Sequence, residues 1–254
     1  MNIAIITGAS SGMGREFVRR LSEIHSYDEI WVIARRRERL EELAKEIKTP
    51  VRAIPLDLTK NESYEELKNL LETEKPEVKT LVNASGFGVF EKFENIPLDK
   101  QIGMIDLNSK ALMAVTFIVM PYLKKGSEVY QIGSLSSFQP VPYIATYGAT
   151  KAFVLSFTRA VNAEYKKNGI KMMAVSPGWV KTEFFDTAVV DDSVITYYNQ
   201  FFTAEQVVTR AIKDMRRGKD VSVVGPMIRA QVLVAKLLPH RLVMWIWKKQ
   251  QKKA

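Results

Sequence analysis

The chain is expected to fold as a single doubly wound α/β domain, with a seven-stranded parallel sheet and helices on both faces. Three observations point there. Seven short apolar runs of strand length recur at 2–7, 29–34, 51–56, 80–85, 127–134, 170–177 and 220–225. Amphipathic stretches with helical spacing, such as 36–48, 61–74 and 203–217, lie between them. No internal repeat, low-complexity run or linker divides the 254 residues. Strands buried on both faces read as continuous apolar runs, and their alternation with helices implies parallel strands joined by crossovers. Residues 1–225 hold the domain on this reading. An aromatic-rich, weakly patterned segment at 178–202 reads as a long loop or lid, and 226–254 as a basic amphipathic tail.

Composition narrows the chemistry. With 46% apolar and 26% charged residues, the chain can bury a full core. It has no cysteine, which excludes disulfides, thiolate catalysis and cysteine-ligated metals and fits a reducing compartment. Only His25 and His240 are present. The first ends a helical pattern and the second sits in the basic tail, so neither a Ser-His-Asp triad nor a histidine metal cluster is expected. The opening "MNIAIITG" enters a strand at once, without the pattern of a secretory signal. No uninterrupted apolar run reaches 18 residues, and the expected location is the cytoplasm. Net charge is +9, but Arg229, Lys236, Arg241, Lys248, Lys249, Lys252 and Lys253 lie in an acid-free tail, leaving +2 for the rest. A nucleic-acid surface would spread its cations over a folded face, so no nucleic-acid partner is expected.

The first apolar run leads into Thr7-Gly8-Ala9-Ser10-Ser11-Gly12-Met13-Gly14 and then a helical pattern. Strand, glycine turn and helix N-terminus together suit a pyrophosphate, because glycines allow close backbone approach and the helix end supplies N–H donors. The spacing is G-x-x-x-G-x-G rather than the commoner G-x-G-x-x-G, and a glycine turn alone often binds nothing. At the end of the second run stand Arg35, Arg36 and Arg37. Many NAD sites place an acid there, whereas Arg meets the extra phosphate of NADP. Phosphate contact is expected of Arg35 first and Arg36 next, with Arg37 opening a solvated helix. Farther on, Tyr147 and Lys151 in "YGATK" stack one turn apart on a helix face. A nearby ammonium favours the phenolate and lowers a tyrosine pKa from its usual value of about 10. A lone pair of this kind is more often a surface contact.

TGASSGMG, NASG at 83–86, Ser134, YGATK and PGWVKT at 177–182 are, in order and spacing, similar to the short-chain dehydrogenase/reductase family. The resemblance covers about residues 1–225 and implies a Rossmann-type fold of the NADP-preferring, Tyr-x-x-x-Lys kind. By that resemblance Tyr147 is the general acid of carbonyl reduction and the base of alcohol oxidation. Lys151 lowers its pKa and holds the nicotinamide ribose, and Ser134 orients the substrate oxygen, with Ser136 and Ser137 as rivals. Asn108 in "IDLNSK" matches the asparagine that supports a proton relay; an Asn-Ser pair can equally mark a helix irregularity. Gly8, Ser10, Ser11, Gly12, Met13 and Gly14 would cradle the cofactor phosphates. Asp57 and Leu58 resemble the adenine-contacting pair, Asp57 being alternatively a helix N-cap acid. Asn83, Ala84 and Gly86 would approach the cofactor at the fourth strand end, where the family often has Asn-Asn-Ala-Gly. Pro177, Gly178, Val180 and Thr182 would approach its nicotinamide.

The activity implied is hydride transfer between NADP(H) and a carbonyl or secondary alcohol, without a metal. Trp179, Phe184, Phe185, Tyr197, Tyr198, Phe201 and Phe202 crowd the expected lid, and Phe87, Phe138 and Tyr143 flank the motifs. Such a lining favours a bulky lipophilic ketone, with a hydroxysteroid or 3-oxoacyl substrate as specific alternatives; about half of these aromatics could instead pack on the body or another subunit. A catalytically silent NADP-binding redox sensor is the other class kept open. A homodimer or homotetramer is expected. In the tail, Pro239 should start or kink a helix. The tail reads either as a cover for the cleft or a subunit interface, or as a peripheral membrane anchor, given its tryptophans and lysines.

Overall fold

The computed structural model describes residues 1–189 and 195–251. Among these, seven parallel strands form one sheet: β1 (Asn2–Thr7), β2 (Glu29–Ile33), β3 (Val51–Ile54), β4 (Glu77–Asn83), β5 (Leu123–Ile132), β6 (Lys171–Val175) and β9 (Val221–Ser222). Two short strands, β7 (Trp179–Lys181) and β8 (Phe201–Thr203), pair separately. The sheet order is β3-β2-β1-β4-β5-β6-β9. The chain runs outward from β1 to β3, then returns to lay β4 on the other side of β1. A crevice opens beyond the carboxyl ends of strands at such a reversal.

The pleat sorts each strand between two layers. Ile3 and Ile5 join Trp31, Leu67, Leu71, Val115 and Val119 on one side. Ala4 and Ile6 join Phe17, Leu21, Tyr130, Val208 and Met215 on the other. The first layer is covered by α3 (Asn61–Glu74) and α5 (Leu112–Val119), the second by α1 (Gly12–Ile24) and α8 (Ala204–Arg216). The helix α2 (Arg37–Glu46) follows β2, and α6 (Ala145–Tyr165) lies beside β6. Most apolar runs extend beyond their strands at the carboxyl end. Ala34, Leu56, Ala84, Leu135 and Pro177 continue the apolar character but line the crevice. The last strand keeps only two of six expected residues.

Residues 98–122 form one long helix built from α4 (Leu98–Ile105), a π-helical turn (Asp106–Ala111), α5 and a terminal 3₁₀ turn. Its length and its mean hydropathy of 1.5 over 18 residues would suit a membrane span. Yet 44% of that window is buried inside the fold, with Val115 and Val119 fully enclosed, so this helix covers the sheet. In the 178–202 segment, β7, α7 (Phe184–Ala188) and β8 replace the expected loop, and residues 190–194 of it lie outside the described residues. Beyond β9, Pro226 opens α9 (Pro226–Leu237) and Pro239 sits at the N-cap of α10 (His240–Gln250). Proline suits a helix start because its missing N–H is not needed there. Lys252 and Lys253 lie outside the described residues.

Candidate active site

One cavity of about 390 Å³ runs from the β1–α1 turn to the tail helices. At its first end the glycine turn is fixed by sterics. Gly8 has φ +67°, and a Cβ there would sit 2.7 Å from the Ala84 main chain. A Cβ on Gly14 would overlap the Gly8 carbonyl oxygen. The Thr7 hydroxyl accepts from the N–H groups of Ala84 (3.1 Å) and Ser85 (3.2 Å), locking β4's end beside the turn. Ser11 stands at the N-cap of α1 without a side-chain cap, and the first helical turn carries no acid. The positive helix end is thus left to whatever occupies the cavity.

Arginines surround this end. Arg35 lines the cavity. Arg36 donates through Nη2 to the Ser10 and Ser11 hydroxyls (3.1 and 3.2 Å) and through Nη1 to Glu183 (3.1 Å). Arg39 grips the same carboxylate, and the hydrogen bonds from Arg39 and Arg36 hold Glu183 below the usual carboxylate range. Arg37 turns away to pair with Glu41 at 3.6 Å, as expected of a solvated helix start. Asp57 is not a helix cap, since Lys60 occupies the N-cap of α3. Its Oδ1 instead accepts from the Thr59 N–H (3.0 Å) and hydroxyl (2.8 Å). Burial works to raise the Asp57 pKa, but the Thr59 bonds and the Arg35 charge outweigh it and keep it low. Leu58 lines the cavity beside it.

The middle of the cavity holds Ser134, Tyr147 and Lys151. Ser134 caps the 3₁₀ turn Leu135–Phe138, accepting from the Ser136 N–H (3.2 Å), and hydrogen-bonds the Tyr147 hydroxyl. Ser137 is occupied elsewhere, donating to the Lys151 carbonyl at 2.8 Å. Lys151 Nζ donates to the Ile132 carbonyl (2.8 Å) and lies 5.7 Å from the Tyr147 ring centroid.

The expected lowering of the tyrosine pKa is not found. Burial pushes Tyr147 up to about 12, opposed only by the Ser134 hydrogen bond. Burial also pushes Lys151 down to about 8. The ammonium sits over the ring and binds a carbonyl, so it does not offset desolvation of the phenolate.

Two of the expected residues are off the cavity wall. Asn108 is fully buried: Oδ1 accepts from the Phe87 N–H (3.0 Å), while Nδ2 donates to the Phe87 carbonyl (2.9 Å) and the Thr150 hydroxyl (3.1 Å). The helix irregularity read from the Asn-Ser pair is present, because Asn108 sits within the π turn. As placed, its side chain positions the 84–88 loop and does not reach the cavity. Asn83 also faces inward, its Nδ2 donating to Thr116 (3.1 Å) and Gln131 (3.0 Å). Strand alternation puts Asn83 under the sheet, while Ala84, Ser85 and Gly86 face the cavity.

Pro177, Gly178, Val180 and Thr182 line the same cavity, with Thr182 packed close against Gly12 of the glycine turn. Sequence reading missed Ser85, Arg39 and Glu183. It also missed Phe90, whose ring meets Tyr147 edge-on at 5.8 Å. No spacing motif marks these residues; they converge only through the turns between strands and helices.

The far end is aromatic and roofed by the tail. Phe87, Phe138, Trp179, Phe184, Phe185 and Tyr197 line it, whereas Phe202 belongs to the core and Phe201 is exposed. Gln231, Val232 and Ala235 of α9 and Trp247 and Gln250 of α10 complete the wall. The Trp247 indole N–H donates to the Pro142 carbonyl at 3.1 Å. Gln251, 3% exposed, accepts from the N–H groups of Thr196 (3.0 Å) and Tyr197 (3.2 Å). Among the described residues no cluster of metal-ligating side chains occurs.

A glycine turn at the strand-order reversal, joined by one cavity to a half-buried serine and a buried Tyr-Lys pair, defines an oxidoreductase of the nicotinamide-dinucleotide class. The family model for short chain dehydrogenases matches residues 2–192. A sulfoacetaldehyde reductase of Chromohalobacter salexigens is 35% identical over 192 residues, covering 72% of this chain and 74% of that one. An oxidoreductase of Staphylococcus epidermidis is 30% identical over 182 residues, covering 71% and 78%. A short-chain dehydrogenase from Sphingobium yanoikuyae, solved with NADPH, superposes with a TM-score of 0.79 at 25% identity, covering 96% of each chain. The chain belongs to the short-chain dehydrogenase/reductase family.

Proposed function

We propose that the protein transfers hydride between NADP(H) and a carbonyl or secondary alcohol on a bulky lipophilic molecule. The observation that carries the proposal is one cavity with Arg35 and Arg36 at one end and a hydroxyl pair facing an aromatic chamber at the other. The site fits the dinucleotide: the glycine turn leaves room for close approach, the uncapped α1 N-terminus suits a pyrophosphate, and two guanidiniums suit a further phosphate. When bound, the cofactor supplies or accepts the hydride.

The chain does the rest. The Tyr147 hydroxyl keeps its proton at neutral pH, so it can donate to a carbonyl oxygen as negative charge develops there. Ser134, already bonded to that hydroxyl, orients the oxygen and shares its stabilisation. Lys151 brings a buried positive charge one helical turn away. Asn108 holds the loop at the cavity's edge.

The aromatic chamber supports the substrate class. Its cations and aromatics are unevenly placed: Arg35 and Arg36 belong to the cofactor end, and the chamber offers neutral Gln139, Asn199, Gln231 and Gln250. A small anionic aldehyde, such as the substrate named for the C. salexigens relative, would find no lining cation there beyond Lys151, whose Nζ already donates to the Ile132 carbonyl, although Lys236 lies over the Phe138 ring. The test compares kcat/KM for NADPH and NADH across steroid ketones, 3-oxoacyl thioesters, aromatic aldehydes and sulfoacetaldehyde. NADPH with a bulky ketone should lead, and Ala34→Asp with Arg35→Ser should shift preference toward NADH. A wild type preferring NADH overturns the cofactor reading, and sulfoacetaldehyde as the best substrate overturns the chamber reading. NADPH binding without turnover of any carbonyl would leave the redox-sensor alternative.

A further inference from the structure

We propose that α9 and α10 form a docking face for an anionic lipid bilayer. Both helices turn one side into the cavity, with Val232, Ala235 and Trp247 among the lining. Their opposite sides carry large apolar groups in the open. On α9 these are Met227 (69% exposed), Leu233 (60%) and Leu237 (75%). On α10 Leu242, Trp245 and Ile246 recur at helical spacing, with Trp245 58% exposed. Arg229, Arg241, Lys248 and Lys249 are exposed on the same two helices, Lys236 reaches over the Phe138 ring at 5.0 Å, and no acid occurs anywhere in 226–254. Lys249 Nζ lies 5.7 Å from the Trp245 ring centroid, placing a cation beside an amphipathic ring.

Apolar side chains, an interfacial tryptophan and cations of one sign are the pattern of a helix lying in an anionic headgroup layer. A second exposed apolar surface provides an internal contrast. The helix 98–122 exposes Leu98, Ile102, Ile105 and Phe117, but carries Asp99 and Asp106 as well as Lys100 and Lys110. Mixed charge offers no general attraction to an anionic bilayer, whereas the tail offers attraction from every charged position. The inference goes beyond the proposed activity and does not need it. Resting on that activity, it also gives a lipophilic substrate a route from the bilayer into the cleft beneath the roof.

The full-length protein should co-sediment with vesicles of phosphatidylcholine and phosphatidylserine at least tenfold better than with phosphatidylcholine alone, and salt should weaken the binding. Leu237→Gln with Trp245→Gln should reduce vesicle binding tenfold or more. Arg241→Gln with Lys248→Gln should remove the preference for the anionic vesicles. Neither pair lines the cavity, so turnover of a water-soluble ketone should stay within twofold. Absence of NADPH oxidation by the wild type with every carbonyl tested, bulky or water-soluble, would refute the proposed activity while leaving vesicle binding readable. The docking proposal is overturned by wild-type binding no better to anionic vesicles, or by unchanged binding in both variants. It is also overturned if Leu237→Gln with Trp245→Gln dissociates an oligomer, which would assign this face to a second copy of the chain.

Discussion

Tyr147 and Lys151 lie one helical turn apart and pull the molecule in opposite directions. Removing the phenol alone, by Tyr147→Phe, should lower kcat by ~10²–10⁴-fold and leave NADPH affinity within a few-fold; single-turnover and binding measurements would separate the two. More than a tenth of wild-type kcat would refute the acid–base role. The buried lysine has a separate thermodynamic signature. Its folded pKa of about 8 lies below an unfolded value of about 10.4. Between these values the unfolded chain holds a proton that the native protein has released, so stability rises with pH across that window. The full difference corresponds to ~3 kcal/mol. Tyr147 acts oppositely, because its folded value of about 12 exceeds about 10 in the unfolded chain. It therefore removes stability as pH rises from about 10 to about 12. Urea unfolding of the cofactor-free protein should show the midpoint rising from pH 8 to 10, and Lys151→Met should lose most of that rise. An equal rise in the variant would show that Lys151 is not the titrating group. The variant also strips the Ile132 carbonyl of its partner, but this loss does not titrate.

The elements were unevenly legible in sequence. Strands β1, β2 and β6 stand out because parallel strands covered on both faces are apolar throughout. The carboxyl ends of β2, β3 and β6 were harder to read, since Ala34, Leu56 and Pro177 just beyond them remain apolar in order to line a cavity. Asn83 and Asn108 show the same limit at the site. Motif spacing marks them, but whether a side chain points to the cavity or beneath the sheet depends on the pleat and on the π turn. The Asn-Ser pair and its polar neighbours in Asp106–Ala111 marked that turn only as one of two open readings. Its worth can be measured. Asn108→Ala leaves the Phe87 N–H and carbonyl without their partner and should cost about 1–3 kcal/mol in stability, with a parallel fall in kcat. Wild-type urea stability in this variant would remove Asn108 as the anchor of the loop. By contrast, the Thr203–Gln206 capping box that starts α8 was open to reading from the T-x-x-Q pattern, although the expected segment merely began there.

At the scale of the whole molecule, two surfaces among the described residues are apolar and open, and their charges differ. The mixed-charge surface of helix 98–122, with Phe117 76% exposed and Phe153 of α6 41% exposed, suits a second copy whose opposite charges can pair. Light scattering should then report a dimer or tetramer, and Phe117→Glu should lower the mass toward one chain. A monomeric wild type at micromolar concentration would count against this surface as an interface. The tail offers something different. Four tryptophans are distributed over four environments. Trp31 is sealed in the core, Trp179 stands 4.9 Å from Tyr198 in the aromatic wall, Trp247 is held by Pro142 on the roof, and Trp245 faces outward. The protein therefore carries its own set of fluorophores: a dissolved quencher such as iodide should dim Trp245 first, a ligand filling the cleft should change the emission of Trp179 and Trp247, and Trp31 should stay constant as the reference.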